Sequence, residues 1–279
     1  MSYKTILAVV DTPRNAARVS TFAATLAQQF DAHLVGLHAE TLSAVPLIAP
    51  MEIPDPTAVE LLQDSAEKEA AAVADIFRQN ATRDGLSMEW RSFMLASGYA
   101  SSSVLETART ADLIVAAHGG AVDSDRRSDL ETFLYESGRP LLLVPHLLEG
   151  PRPLSKVLLA WNGSREAARA AFDALPLMKQ AGAVEVFVVD PPERGDRDPA
   201  LAGADIAATL RRHGLDVSLT TMDGGGHSPA AAIEQRLSEG SIDLLVMGGF
   251  GHSRWWEMLF GGVTRSLINS MKALTLLSR

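Results

Sequence analysis

Residues Lys156-Val-Leu-Leu-Ala-Trp-Asn162, followed by Arg165-Glu-Ala-Ala-Arg169, form the stretch from which the fold can be inferred. A short apolar run that leads directly into a helical pattern is typical of a strand in a parallel sheet buried on both faces. The same pattern occurs earlier, where Thr5-Ile-Leu-Ala-Val-Val-Asp11 precedes Arg14-Asn-Ala-Ala-Arg18. Both Ala-Ala-Arg segments lie at the same distance from their strands. The chain therefore contains two copies of one unit of about 140 residues.

Later segments repeat in the same order. Ala111-Asp-Leu-Ile-Val115 resembles Ile242-Asp-Leu-Leu-Val246, and Arg139-Pro-Leu-Leu-Leu-Val144 resembles Lys272-Ala-Leu-Thr-Leu-Leu277. Proline and glycine in Leu148-Glu-Gly-Pro-Arg-Pro-Leu154 mark the junction between the copies. The predicted domains are residues 1–147 and 154–279.

Short Val/Ile/Leu runs alternate with longer helical patterns in both copies, which predicts right-handed crossovers and helices on both faces of each sheet. Strands are predicted near 5–11, 33–40, 88–95, 112–118, 140–145, 156–162, 183–190, 216–223, 243–249 and 273–278. Helices are predicted near 14–30, 57–84, 101–110, 127–137, 165–180, 199–213, 228–239 and 262–271. The fold class is therefore α/β, with two tandem doubly wound, Rossmann-like domains, each with a five-stranded parallel sheet, related by an internal repeat.

Composition excludes several classes of function. The 279 residues carry a formal net charge of −9, which disfavours nucleic acid and anionic membranes as main partners. The absence of cysteine excludes disulfides, thiolate catalysis and cysteine–metal sites. The start of the sequence lacks a signal-peptide pattern, and no uncharged apolar run is long enough for a membrane helix. We expect a cytoplasmic protein.

Glycines punctuate the stretch from Met247 to Thr264. Gly248 and Gly251 follow a predicted strand, and Gly261 and Gly262 open the next helical pattern. Glycine allows a ligand to approach the backbone closely, and a helix N-terminus offers free N–H groups to an anion. Ligands of doubly wound sheets bind beyond the carboxyl ends of the strands. This stretch is therefore a candidate phosphate-binding loop.

These motifs together resemble the universal stress protein family, in its tandem two-domain form. The resemblance rests on Asn162-Gly-Ser164 between strand and helix, on Val188-Val-Asp190 ending the next strand, and on the Gly-x2-Gly-x9-Gly spacing of Gly248, Gly251 and Gly261. It covers essentially the whole chain. It implies a stress-response regulatory protein that binds ATP or a related adenine nucleotide and acts through conformational or partner changes.

Two positions depart from the family pattern. Asn162 stands where the family has an aspartate that contacts the nucleoside, so a charge-assisted hydrogen bond is lost. Gly262 stands where the family has serine or threonine, with Thr264 two residues later. The missing hydroxyl removes a hydrogen bond of about 0.5–1.5 kcal/mol.

The resemblance implies a nucleotide site in the second domain only, for ATP, ADP or AMP together with Mg²⁺. Backbone groups at Val188 would meet the adenine edge, and the glycine loop with its cations would hold phosphates. No catalytic residue and no metal ligand of the protein is predicted. The predicted contact residues are Asn162, Gly163, Ser164, Val188, Met247, Gly248, Gly251, His252, Ser253, Arg254, Gly261, Gly262, Val263 and Thr264.

The first copy lacks these features. Its equivalent loop starts at His118 and has no later glycine pair, and Asp123, Asp125 and Asp129 lie where phosphates would bind. Two like charges 4 Å apart repel by about 4 kcal/mol at an effective dielectric constant of 20. Nucleotide binding is therefore not predicted there. A metal site at Asp123-Ser-Asp125 is less favoured than a solvated loop, because further ligands are not evident.

Several alternatives remain open at this stage. The proline-rich segment 41–57 is either an ordered surface loop or a lid or partner-binding flap. Trp255-Trp256 either covers a helix on its own core or faces a ligand or partner. The stretch Gly224-Gly-Gly-His227 is interpreted as a turn that leads into a helix. The protein could also be a scaffold that acts by protein contacts or another small ligand, or a slow nucleotide hydrolase.

Enzymatic turnover is not favoured, because no general base with an orienting partner is evident near the glycines; at most we expect weak ATPase activity. Leu141–Val144 and Leu274–Leu277 are expected to pair within one chain as an internal pseudo-dimer, and a homodimer is left open. A protein partner is expected without being identified. Nucleic acid and membrane are not expected as partners.

Overall fold

The computed structural model describes residues 2–41, 56–83, 85–95, 100–118, 127–190, 202–223, 229–249 and 273–279. The chain forms two compact units, one of residues 3–117 and the other of residues 118–279 with residues 1–2. Strands and helices alternate in both units, as the repeat predicts. The domain limits 1–147 and 154–279 remain a prediction from the sequence.

The first unit is a parallel sheet in the strand order β3-β2-β1-β4. Thr12 caps α1 by accepting a hydrogen bond from Asn15 N, and Pro13 occupies the start of the helix, where a missing N–H costs nothing. Helix α1 packs on β1, β2 and α2. The elements are β1 (Thr5–Val9), α1 (Pro13–Phe30), β2 (His33–Thr41), α2 (Pro56–Ala81), β3 (Met88–Leu95), α3 (Ser102–Arg109) and β4 (Leu113–His118).

The second unit has the strand order β5-β10-β9-β6-β7-β8, in which only the β5–β10 pair is antiparallel. Its central strands are almost wholly apolar and buried, which explains why helices cover both faces. The elements are α4 (Arg127–Glu136), β5 (Leu141–Pro145), β6 (Lys156–Ala160), α5 (Arg165–Asp173), α6 (Leu175–Met178), β7 (Ala183–Val189), α7 (Ala204–Arg212), β8 (Val217–Met222), α8 (Pro229–Glu239), β9 (Leu244–Gly248) and β10 (Leu274–Ser278).

All ten predicted strands are present within one or two residues of their predicted bounds, and the α/β fold class is confirmed. The predicted helices up to residue 239 are present too, with 165–180 divided into α5 and α6. The predicted helix at 262–271 lies outside the described residues. No helix in the described part of the chain is both long and apolar enough to cross a membrane.

The β5–β10 pair joins a strand of the first sequence copy to a strand of the second. Leu141 and Leu142 lie opposite Leu277 and Leu276 in the antiparallel register. The pairing covers the facing backbone edges of both strands, and all four leucine side chains are fully buried. The predicted pairing of these two segments is confirmed.

An ion cluster around the buried carboxylate of Glu185 links β6, β7 and α8 of the second unit. Glu185 of β7 is 1% exposed and accepts two hydrogen bonds from Arg236 of α8, at 2.8 and 2.7 Å, and its Oε2 lies 2.8 Å from Lys156 Nζ. Burial raises the pKa of Glu185, but the hydrogen bonds from Arg236 and Lys156 outweigh it and hold the pKa at about 2. This carboxylate is therefore ionised throughout the ordinary pH range.

Replacing Leu276 by alanine should destabilise the chain by about 2–5 kcal/mol, because it removes a fully buried side chain from the β5–β10 contact. Denaturant unfolding of the full chain measures this change. The matched control is Leu147→Ala just beyond β5, where the side chain is 38% exposed and the expected change is within about 0.5 kcal/mol. Equal effects of the two substitutions would contradict the structural role of the pair.

Glu185 also gives the stability a defined pH dependence. Its folded pKa of about 2 lies below the ordinary value of 4.5, so its ionised form stabilises the fold above pH 4.5 by on the order of 3 kcal/mol. That stability is lost as the pH falls from 4.5 toward 2. Unfolding of the wild type and of Glu185→Gln at several pH values should show a difference that shrinks over this window. Glu239→Gln, on the exposed end of α8, is the control; a constant Glu185 difference would refute the prediction.

Candidate functional site

The carboxyl ends of β9, β6 and β7 lie side by side at one edge of the second sheet. Ala160 at the end of β6 is in register with Met247 of β9 on one side and with Phe187 of β7 on the other. The chain runs from β6 outward to β7 and β8 and then returns to β9 on the other side of β6. The order of the strands thus reverses between β6 and β9, and such a switch point is where doubly wound sheets bind ligands.

The turn between β6 and α5 is built from three of the predicted site residues. Asn162 Oδ1 accepts a hydrogen bond of 3.0 Å from Ser164 N, and Gly163 between them has a φ of 74°, which a side chain would strain. Ser164 Oγ caps α5 by accepting a hydrogen bond of 3.1 Å from Ala167 N. Asn162 and Gly163 are exposed. The turn thus presents an amide side chain to solvent at the switch point.

Gly248 is explained by close packing against α5. A Cβ at this position would lie 2.5 Å from Ala167 N and 2.6 Å from the carbonyl carbon of Glu166. Both are backbone atoms, so any side chain would force the strand and the helix apart. Met247, the preceding predicted site residue, is a buried core residue.

Gly249, which follows Gly248, connects this edge of the sheet to β10 and α4. Gly249 N donates a hydrogen bond of 2.7 Å to Ser278 O at the end of β10. A Cβ at position 249 would lie 2.9 Å from Leu134 Cδ2 on α4. A change in the backbone at Gly249 would therefore alter its contacts with β10 and α4.

Glu166 lies at this candidate site, and the sequence analysis did not single it out. It is 7% exposed, its Cβ lies against Gly248, and its Oε1 accepts a hydrogen bond of 2.5 Å from Arg165 Nε. That hydrogen bond holds the pKa of Glu166 below its ordinary value, so the carboxylate is charged at neutral pH. The repeat could have drawn attention to this position, because Glu166 aligns with Asn15 and both copies thus carry a polar residue there.

The end of β7 places Val188 and Val189 differently. The Val188 side chain is buried, and its Cγ2 would be 3.0 Å from a Cβ on Gly203. Even-numbered residues of β7 direct their backbone groups toward β8, as the hydrogen bond from Asp190 N to Met222 O shows. Odd-numbered residues direct theirs toward β6, where Trp161 N donates to Phe187 O. The backbone groups of Val189 therefore point to the β6 side, beyond the hydrogen bond from Trp161 N to Phe187 O.

The remaining predicted contact residues lie outside the described residues, so their part in a site stays a prediction. They are Gly251, His252, Ser253, Arg254, Gly261, Gly262, Val263 and Thr264. The same holds for Trp255-Trp256, the stretch 224–227, the segment 42–55, Asp123 and Asp125, and for the side chain of Asp129.

The equivalent edge of the first unit is held together by its own side chains. Asp11 Oδ1 accepts hydrogen bonds from Thr12 N at 2.7 Å and from Asn15 Nδ2 at 3.2 Å. Asn15 Oδ1 accepts in turn from Arg18 Nη2 at 2.7 Å. The aspartate that the family resemblance would assign to a nucleoside is thus engaged within its own turn and helix.

His118 at the end of β4 occupies the position of Gly249 in the repeat. Burial, together with repulsion from His146, lowers the pKa of His118 to about 4. The imidazole is therefore neutral at pH 7 and offers no positive charge to a phosphate. Among the described residues, no group of three or more histidine, aspartate or glutamate side chains is arranged to hold a metal ion.

Comparison with solved structures identifies the fold. The chain superposes on a universal stress protein from Archaeoglobus fulgidus DSM 4304 with a TM-score of 0.69 and 17% identity, covering 99% of this chain and 96% of that one. A functionally unknown protein from Pseudomonas aeruginosa PAO1 gives a TM-score of 0.49 at 15% identity, covering 99% and 92%. A universal stress protein in complex with cAMP gives 0.35 at 21% identity, covering 46% and 98%.

Sequence comparison identifies the second half more specifically. No curated protein matches the chain by sequence. The model of the universal stress protein family matches residues 153–279, which contain β6 to β10 and the whole switch point. Residues 153–279 therefore form a domain of the universal stress protein family.

Proposed function

We propose that the domain at residues 153–279 binds ATP or a related adenine nucleotide and takes part in stress regulation by changing its partner contacts. The observation that carries this proposal is the convergence of three strand ends, β9, β6 and β7, at the switch point of the sheet. The exposed turn at Asn162 and the backbone of Val189 border this edge. Small-ligand sites use a few polar groups to orient the ligand, and these groups could serve in that way.

The adenine is assigned to the end of β7. A strand that continues beyond its neighbour has backbone N–H and C=O groups without a ladder on that side, and these can pair with the edge of a base. The direction of the ladder favours Val189 over Val188 for this contact, because the groups of Val188 point toward β8. Asn162, one strand away, can both donate and accept hydrogen bonds at the nucleoside.

The phosphates are assigned to the glycine loop on sequence grounds. Gly251, Gly261 and Gly262 would let backbone N–H groups approach phosphate oxygens, with His252 and Arg254 as neighbouring cations. Mg²⁺ would arrive with the nucleotide and be held mainly by its phosphates, as is usual for this ion. The proposed action is regulatory binding, with hydrolysis at most slow.

Contacts of Gly249 connect the proposed nucleotide site to a surface that a partner protein could bind. Gly249 lies immediately before the loop and is tied to Ser278 of β10 and packed against Leu134 of α4. On α4, the next residue, Tyr135, is 38% exposed and stacks under Arg279, whose guanidinium carbon lies 4.1 Å from the ring centroid. A shift of the loop would change this surface, which is our candidate for the contact with a partner protein.

A second candidate function is a scaffold that works by protein contacts without a nucleotide. The observation that favours it is the packing of Gly248 on the backbone of α5, which accounts for this glycine without any ligand. Nucleotide titration of the purified chain separates the two functions.

Calorimetric titration of the full chain with Mg-ATP should give one nucleotide per chain. Gly251→Glu should reduce the affinity at least tenfold, because a carboxylate placed among phosphates repels them. The matched control is Gly120→Glu at the equivalent position of the first copy, which should leave the affinity unchanged. Mass spectrometry of any small molecule released by acid from the purified protein identifies the nucleotide carried from the cell. The absence of both heat and bound nucleotide would favour the scaffold.

A further inference from the structure

The two sequence copies carry a carboxylate and an amide at the same two positions, in opposite order. At the end of the first strand stand Asp11 in one copy and Asn162 in the other. Four residues later, in the first turn of the following helix, stand Asn15 and Glu166. The charge lost from the strand end of the second copy thus reappears four residues later, on the first turn of α5.

In the first unit, the carboxylate and the amide are hydrogen-bonded to one another. Asp11 and Asn15 contact one another directly, at 3.2 Å between Oδ1 and Nδ2. Asp11 also accepts a hydrogen bond from Thr12 N. The carboxylate is already solvated by its own turn and helix, so a ligand hydroxyl would gain little by replacing these donors.

In the second unit, the amide and the carboxylate bind other partners. Asn162 Oδ1 accepts a hydrogen bond from Ser164 N, while Glu166 accepts from Arg165 and, within its own turn, from its own N–H and the Ser164 hydroxyl, so the amide and the carboxylate have different partners. The side chain of Arg165 is 85% exposed, and ion pairs that involve such mobile, solvated groups contribute little stability. A ligand donor can therefore take the place of Arg165 on the Glu166 carboxylate at small cost.

We infer that Glu166 recognises the sugar of the bound nucleotide, by accepting hydrogen bonds from ribose hydroxyls at the switch point. This inference rests on the proposed nucleotide-binding function and narrows its ligand class to ribonucleotides. Glu166 lies against Gly248 at the end of β9 and follows Asn162 by four residues, on the edge where a nucleoside would lie.

The sign of the charge decides which part of the ligand lies here. A carboxylate only accepts hydrogen bonds, so it suits a hydroxyl donor and repels a phosphate. The phosphates must therefore point away from α5, and the hydroxyl-bearing face of the sugar must point toward it. Glu166 thus fixes the orientation of the nucleotide as well as its sugar.

The test compares Mg-ATP with its 2′-deoxy and 3′-deoxy analogues by calorimetry on the full chain. Wild type should bind ATP about tenfold or more tightly than at least one analogue, because hydrogen bonds to a charged acceptor are strong. Glu166→Gln keeps the shape and removes the charge, and it should reduce this preference to about threefold or less. Asp11→Asn, which alters the hydrogen-bonded pair of the first unit, is the control and should keep the wild-type preference.

Each outcome bears on a separate claim. If wild type binds no nucleotide, the proposed function fails and the inference fails with it. If wild type binds ATP but the preference is absent, or survives in Glu166→Gln, the function stands and the role of Glu166 is overturned. Melting temperatures verify folding; if Glu166→Gln is unfolded, Glu166→Asp replaces it and should reduce the preference several-fold.

Discussion

The candidate site depends on the contact between residue 248 and the first turn of α5, which leaves no room for a side chain. The strand end approaches the helix backbone so closely that a Cβ would lie 2.5 Å from Ala167 N. This approach seats α5 over β9 and β10. The position of α5 in turn places the capped turn at Ser164 and the carboxylate of Glu166 at the edge of the sheet. One missing side chain thus determines where the polar groups of the second unit converge.

The architecture could be predicted from the sequence because it depends on patterns that repeat. Continuous apolar runs such as Lys156–Ala160 identify strands buried on both faces, and their alternation with helices fixes a parallel sheet. The family resemblance also predicted that Leu141–Val144 and Leu274–Leu277 pair within the chain, whereas their antiparallel register is known only from the structure.

The ion cluster around Glu185 and the candidate site were less predictable, because their key features depend on contacts that the sequence pattern does not show. In the sequence, Glu185 is only a charged residue within an apolar strand. Its contacts with Lys156 and Arg236 are known only from the structure. The choice between Val188 and Val189 depends on which neighbour each backbone group faces, which residue type does not reveal. Glu166 was overlooked because glutamate in the first turn of a helix is ordinary on helix-dipole grounds alone.

The shared pair of β5 and β10 also has a consequence for biosynthesis. Strand β5 leaves the ribosome roughly 130 residues before the strand that will cover it. At roughly 5–20 residues per second, its leucine-rich edge waits on the order of 6–26 s for its partner. During that interval the nascent chain presents an unpaired apolar edge, the kind of surface that recruits other strands. The rate of translation between the two strands therefore sets how long this apolar edge stays unpaired.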